Sequence, residues 1–153
     1  MVKFAMSLNM KLVERDRKYC VLQDICGKRE KFDILASFPF TSESKKMGCL
    51  LRSQETGRNI YYLKGAEVVM ENKLKAAQRP SLKESCESLA MDGLRTLAFA
   101  QKVLSDKQVE KFMSALKKAE ARLKNRDAHV ARVQASLEDE MDYLGVTGVE
   151  DKL

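Results

Sequence analysis

The first half of the chain alternates short apolar runs with polar turns, a pattern that predicts β-strands. The runs are rich in Val, Ile, Leu, Phe and Tyr, and Gly-containing polar segments separate several of them. The pair of runs around the turn at 53–58 is the clearest hairpin, because Gly57 tolerates the positive φ that tight turns often need. We predict strands at 19–25, 32–40, 47–52 and 59–64, and a further strand in the second half at 94–104.

The second half repeats apolar residues at three- and four-residue intervals, which predicts helices that pack one face against the sheet. Two Ser-x-x-Glu/Gln capping boxes, at Ser81 and Ser105, mark expected helix starts, and Gly93 marks an expected helix end. We predict helices at 1–12 and 66–77, from 81 to 92, from 105 to about 124, and from 130 to 144, with a charged loop at 14–18 and a closing strand within 144–153. The fold class predicted is α/β of the α+β type, one domain with an antiparallel sheet flanked by helices.

Length and composition agree with one globular domain. The chain has 153 residues, of which 44% are hydrophobic and 33% charged. No apolar run approaches the ~18 residues of a membrane span. The four cysteines form no C-x-x-C pair, and with a single histidine, His129, they make a poor zinc set, so we expect reduced cysteines in a cytosolic domain.

The net charge of +6 raises the question of a nucleic-acid partner. The basic residues are interleaved with Glu and Asp, as in 111–124, which is typical of solvated helix faces. We expect no nucleic-acid partner, although a basic nucleic-acid module remains an alternative. A protein-interaction scaffold built on the helices of 105–144 is a second one.

The sequence carries no P-loop, no G-x-G-x-x-G, no G-x-S-x-G and no H-E-x-x-H motif. We predict no catalytic residue and no metal ligand, and interpret the chain as a binding domain rather than a complete catalyst.

The strongest candidate site is the strand–loop–strand junction from Phe38 to Gly48, which combines aromatic, hydroxyl and cationic groups as a nucleotide site requires. Folding the hairpin about its turn places Lys45 roughly opposite Lys64, give or take a residue or two, with both amines near Phe40. A bound anion would relieve their repulsion, or both side chains could extend into water. Arg95, at the start of the next strand, is either a surface charge or a clamp.

Four segments in this order resemble the nucleotide-binding domain of P-type ATPases: FPFTSESKKMG at 38–48, KGAE at 64–67, GLRTL at 93–97 and LGVTGVEDKL at 144–153. The first and last are similar to the type IV subfamily, the phospholipid flippases, and most of all to its endosomal and Golgi branch. The resemblance covers essentially the whole chain and implies the twisted antiparallel sheet of that domain. It implies that 1–153 is a single nucleotide-binding domain truncated from a larger membrane ATPase.

The resemblance also implies roles for individual residues. Phe40 matches the aromatic that stacks on adenine, and Lys45 matches a lysine beside the nucleotide. Lys64, with Gly65, matches the lysine at the bottom of the ATP pocket, and Arg95 matches the arginine that reaches the phosphates. The predicted site also includes Thr41 and Ser42, and the predicted hinge toward the phosphorylation domain lies within 144–153.

The implied ligands are ATP and Mg²⁺, with the metal held mainly by the phosphorylation domain. The implied partners are the phosphorylation and actuator domains of the parent chain, with membrane contact only through transmembrane helices elsewhere in it. The chain itself is expected to be a monomer at the cytoplasmic face of an endosomal, Golgi or plasma membrane. Because D-K-T-G-T is absent, we expect no turnover by this domain alone. A cation-transporting P-type ATPase is the alternative within the superfamily.

Overall fold

The computed structural model describes residues 2–150. In that range seven strands form one antiparallel sheet in which every strand pairs with the one before it in sequence. The strands are β1 (Lys11–Arg15), β2 (Tyr19–Gln23), β3 (Arg29–Phe38), β4 (Lys46–Ser53), β5 (Asn59–Gly65), β6 (Arg95–Leu104) and β7 (Asp142–Val149). The helices are α1 (Val2–Ser7), α2 (Glu67–Met70), α3 (Arg79–Met91), α4 (Asp106–Glu120) and α5 (Arg126–Ala135), with 3₁₀ turns at Glu71–Lys73 and Ala76–Gln78. The predicted fold class is confirmed.

The central strands have two faces of different character, because successive side chains of a strand point to opposite sides. Leu50, Tyr61 and Leu63 are fully or almost fully buried and pack in one hydrophobic core with residues of α3 and α4 such as Leu82 and Phe112. We call this side of the sheet the helix face. Their neighbours along the strands are half-buried and lie on the opposite side, which we call the open face.

The prediction for the N-terminal segment was wrong beyond Ser7. The helix ends there, Asn9 adopts a left-handed φ of 62°, and Lys11–Arg15 forms an edge strand instead of a helix end and a loop. Every residue of this strand is exposed. Backbone hydrogen bonds to β2 therefore hold this strand in place. The sequence has no alternation of buried apolar residues from which the strand could be predicted.

The predicted helix at 66–77 is interrupted. Its regular part is only α2, because Leu74 takes an extended conformation that buries its side chain and pairs its backbone with Met141. The capping box predicted at Ser81 was also wrong. Helix α3 begins earlier, at Arg79, with Pro80 in its first turn, where a missing N–H costs nothing.

Other predicted helix ends have mixed outcomes. The capping box at Ser105 is confirmed, since its hydroxyl accepts from the N–H of Gln108 and the Gln108 side chain accepts from the N–H of Ser105. Gly93 ends α3 as predicted, with φ of +73°. The last helix was predicted to reach Leu144 but ends at Ala135, because the chain turns through Glu140, with φ of 48°, into β7.

The predicted strands correspond to β2–β6, with shifted ends: β3 begins at Arg29 and stops at Phe38, two residues before the predicted end. The closing strand lies at Asp142–Val149. Residues 151–153 of the predicted hinge lie outside the described residues.

Candidate functional site

A cavity of about 250 Å³ opens on the open face of the sheet. Four adjacent strands form its wall, which is almost entirely apolar. Lys64 is the charged residue among the lining residues. The lining is Met47, Gly48 and Cys49 of β4, Tyr62, Leu63 and Lys64 of β5, Phe99 and Ala100 of β6, and Leu144 of β7. An apolar wall with one placed cation is the composition of a small-molecule pocket.

Lys64 occupies the centre of this arrangement. It pairs with Met47 on one side and with Phe99 on the other, and its side chain is half-buried. The residue after it must be small: a Cβ added to Gly65 would lie 2.9 Å from the carbonyl oxygen of Lys45. The close approach of the Lys45 backbone therefore requires glycine at position 65.

Lys45 lies one step beyond the paired part of the hairpin. The register sets Met47 opposite Lys64, and the carbonyl of Lys45 accepts from the N–H of Ala66 at 3.1 Å. Lys45 is thus opposite Ala66 rather than Lys64, a shift of two residues from the folded-sequence estimate and within its stated range. Its backbone is left-handed, with φ of 50°, and its side chain is exposed.

The loop that carries Phe40 is closed by its own hydroxyl groups. The hydroxyls of Thr41 and Ser44 lie 2.7 Å apart, and the N–H of Lys45 donates to the carbonyl of Thr41 at 2.9 Å. Ser42 is exposed within this turn. Phe40 is 59% exposed, so its ring is not buried beneath the helices.

Arg95 begins β6, pairs with Val149 and is exposed. By alternation it shares the open face with Phe99, four residues or ~13 Å further along the strand. Strand β3 ends, β4 begins, β5 ends and β6 begins at the same end of the sheet, so Phe40, Lys45, Lys64 and Arg95 all belong to that end. Of these four, only Lys64 lines the cavity itself.

The sequence reasoning missed the apolar part of the wall, above all Met47, Cys49 and Tyr62. The alternation of β4 and β5 was a usable signal for them, because residues two apart share a face. It also missed Leu144, which joins the wall because a bulge in the pairing of β6 with β7 displaces it from the regular register.

A buried charge cluster lies on the helix face at this same end of the sheet. The sequence reasoning missed this cluster too. The Glu138 carboxylate is fully buried and forms ion pairs with Lys46 and, at 2.6 Å, with Lys73. The Tyr61 hydroxyl donates to it at 3.1 Å and accepts from the Gln134 amide at 3.1 Å. Burial raises the pKa of Tyr61 far above its ordinary value, and the Glu138 carboxylate raises it further. Burial lowers the pKa of Lys46, although its ion pair with Glu138 acts in the opposite direction.

Two further features of residues 2–150 bear on chemistry. That range contains no group of three or more carboxylate, thiol or imidazole side chains placed to hold a metal ion. None of its helices combines the length and hydropathy of a membrane span.

Comparison with known proteins decides the family. The family model described as P-type ATPase, cytoplasmic domain N, matches residues 1–153. The chain therefore belongs to the P-type ATPase cytoplasmic N-domain family. The resemblance drawn from the four sequence segments is confirmed at this level.

The N domain is also similar to longer proteins. It is 40% identical over 153 residues to the human "Probable phospholipid-transporting ATPase IIB", covering all of this chain and 13% of that protein. It is 36% identical over 154 residues to "Phospholipid-transporting ATPase NEO1" of Saccharomyces cerevisiae, covering 99% of this chain and 13% of the relative. The chain spans about an eighth of the length of these relatives, and their names agree with the flippase subfamily that the sequence pointed to.

Proposed function

We propose that this N domain binds ATP as part of a phospholipid-translocating P-type ATPase at the cytoplasmic face of a membrane. The observation that carries the proposal is the half-buried Lys64 in the wall of an otherwise apolar cavity, at the sheet end that also holds Phe40, Lys45 and Arg95. The relatives' names favour a phospholipid over a cation as the transported species.

The size of the cavity suits only part of an ATP molecule. At about 250 Å³ it is smaller than the ~300–1,000 Å³ that encloses a drug-sized molecule. We infer that the cavity and the exposed ring of Phe40 receive the base and sugar, while the triphosphate extends along the end of the sheet. Lys64 and Lys45 would supply positive charge beside it, with Thr41 and Ser42 at the rim and Arg95 nearer the phosphates.

The role of the domain is then positioning. It would hold the nucleotide and carry the γ-phosphate to an aspartate of the phosphorylation domain, and Mg²⁺ bound there would neutralise charge on the transferred phosphate. We place the hinge for this movement in 144–153, a range that begins within β7 and continues past its end at Val149. On this proposal the domain by itself binds ATP and does not hydrolyse it.

A calorimetric titration of ATP into the Phe40→Ala variant tests the proposed site. Stacking of a base on an aromatic side chain contributes roughly 1–3 kcal/mol, so we expect the affinity to fall about 5- to 150-fold. The control is Leu123→Ala, which removes a fully exposed apolar side chain between α4 and α5, away from the cavity, and should leave the affinity unchanged. Wild-type affinity in Phe40→Ala would contradict the assigned site.

Comparing ATP with AMP distinguishes residues that contact the base from residues that act on the phosphates. Phe40→Ala should weaken ATP and AMP alike, whereas Lys64→Ala should weaken ATP more than AMP because its ammonium acts on the phosphates. A protein-interaction scaffold would bind neither nucleotide, and a nucleic-acid module would bind DNA or RNA with a steep dependence on salt.

A further inference from the structure

The Glu138 cluster joins three separate parts of the chain. Lys46 is the first residue of β4, Lys73 ends the 3₁₀ turn after α2, and Glu138 follows α5. The side chains of the two lysines are only 13% and 18% exposed, and that of Glu138 is 0% exposed. These are buried ion pairs in which one carboxylate holds two ammonium groups, so they fix the segments that carry them more firmly than a surface pair would.

Lys46 connects this cluster to the cavity end of the sheet. It pairs directly with Gly65, and a Cβ on Gly65 would lie 3.0 Å from the Cβ of Lys46. The next residue back, Lys45, bonds Ala66 through its carbonyl. The two strands leave no clearance here, so a movement of Lys46 must displace Lys45 and the segment that contains Lys64.

The backbone of Lys45 needs such support. A left-handed conformation is unfavourable for a residue with a Cβ and persists only where surrounding structure enforces it. Hydrogen bonds to Thr41 and Ala66 hold Lys45 on its two sides, and the buried ammonium of Lys46 anchors the residue that follows.

We propose that Glu138 is a positioning residue for the nucleotide site, acting through Lys46. The partners that the structure gives the Glu138 carboxylate among residues 2–150, namely Lys46, Lys73 and Tyr61, do not line the cavity. Glu138 fixes the start of β4, and thereby the placement of Lys45 and Lys64 toward the phosphates. This inference rests on the proposed function, because it assigns a role within the same site.

The cluster supplies a matched pair of variants. Lys46→Met and Lys73→Met each remove one positive charge, and each leaves Glu138 in a one-to-one ion pair with the remaining lysine. Only Lys46→Met disconnects β4. We expect it to weaken ATP binding about tenfold, by analogy with the ~10- to 100-fold loss on removing the residues that support metal ligands, and to weaken AMP less. Lys73→Met should stay within about twofold of wild type.

The test is a calorimetric titration with ATP and with AMP, carried out on the wild-type 153-residue chain and on both variants. Thermal melts of the same proteins measure their stability. Equal ATP affinities for the two variants, or wild-type affinity for Lys46→Met, would overturn the positioning role. A wild-type chain that binds no ATP would instead overturn the proposed function. A loss of stability alone would lower both melting temperatures without separating the two affinities.

If Lys46→Met does not fold, the triple variant Lys46→Met, Lys73→Met, Glu138→Leu replaces all three charges with apolar groups, a change that buried ion clusters often tolerate. Weakened ATP binding by a folded triple variant supports the positioning role. Wild-type affinity in that variant overturns it.

Discussion

Gly48→Ala is the substitution for which the structure makes the sharpest stability prediction. A Cβ at this position would lie 2.1 Å from the Tyr61 hydroxyl oxygen and 2.7 Å from the adjacent ring carbon. Tyr61 cannot retreat, because its ring is fully buried and its hydroxyl bonds both Glu138 and Gln134. The added methyl must therefore displace either β4 or the Tyr61 ring.

The expected cost has two parts. Overpacking a core typically costs about 1–3 kcal/mol. Displacing the Tyr61 hydroxyl from the buried Glu138 carboxylate adds about 1–3 kcal/mol for the hydrogen bond left unmade. A loss near the middle of this range, about 4 kcal/mol, corresponds to a melting temperature roughly 8–16 °C lower for a chain of this length.

Thermal unfolding followed by circular dichroism measures this loss, and Gly57→Ala is the matched control. A Cβ on Gly57 would meet nothing within 4 Å, so the cost there is limited to left-handed backbone strain of about 1–2 kcal/mol. A melting temperature for Gly48→Ala equal to or above that of Gly57→Ala would refute the packing argument.

Two further predictions concern a helix cap and the thiols. Ser105→Ala should cost about 0.5–2 kcal/mol by removing the cap of α4, whereas Ser81→Ala should not lower the melting temperature, because Ser81 caps no helix. At neutral pH a thiol reagent such as Ellman's should modify one exposed cysteine, Cys26, quickly, and Cys26→Ser should abolish that phase. Burial raises the pKa of the other three thiols, so less thiolate is present. Cys20 and Cys86 are buried and should react slowly until the chain unfolds, and Cys49, half-buried in the cavity wall, should react more slowly than Cys26. Fast reaction of two or more thiols in the folded chain would contradict this burial.

The hairpin of β4 and β5 shows how much the sequence determined. Alternating apolar residues and Gly57 were enough to predict both strands, because those features act locally. The register was two residues off because it depends on how the six-residue turn closes, and Ser53 and Arg58 close it through a backbone hydrogen bond. Sequence composition does not specify which pair in a turn of that length will bond.

The elements that the sequence did not predict depend on contacts between distant residues. β1 is an exposed charged segment that becomes a strand only by pairing with β2. Glu138 stands in the acidic run 138–140, a composition typical of a surface loop, and its ion pair with Lys46 spans 92 positions. Leu74 leaves a helical pattern because the core offers it a buried place beside Met141.

The sequential order of the seven strands has a consequence for how the chain acquires its structure. Strands β2 to β5 each pair with the strand just synthesised across a short turn, so this part of the sheet can grow one hairpin at a time with little loop-closure entropy. Strands β6 and β7 pair only after the helical segments 66–94 and 105–141 have been made. The Glu138 cluster also forms late, since its carboxylate emerges long after Lys46. We therefore expect the corner around Lys46 to become rigid only after α5 has docked, which makes it one of the last parts of the molecule to mature.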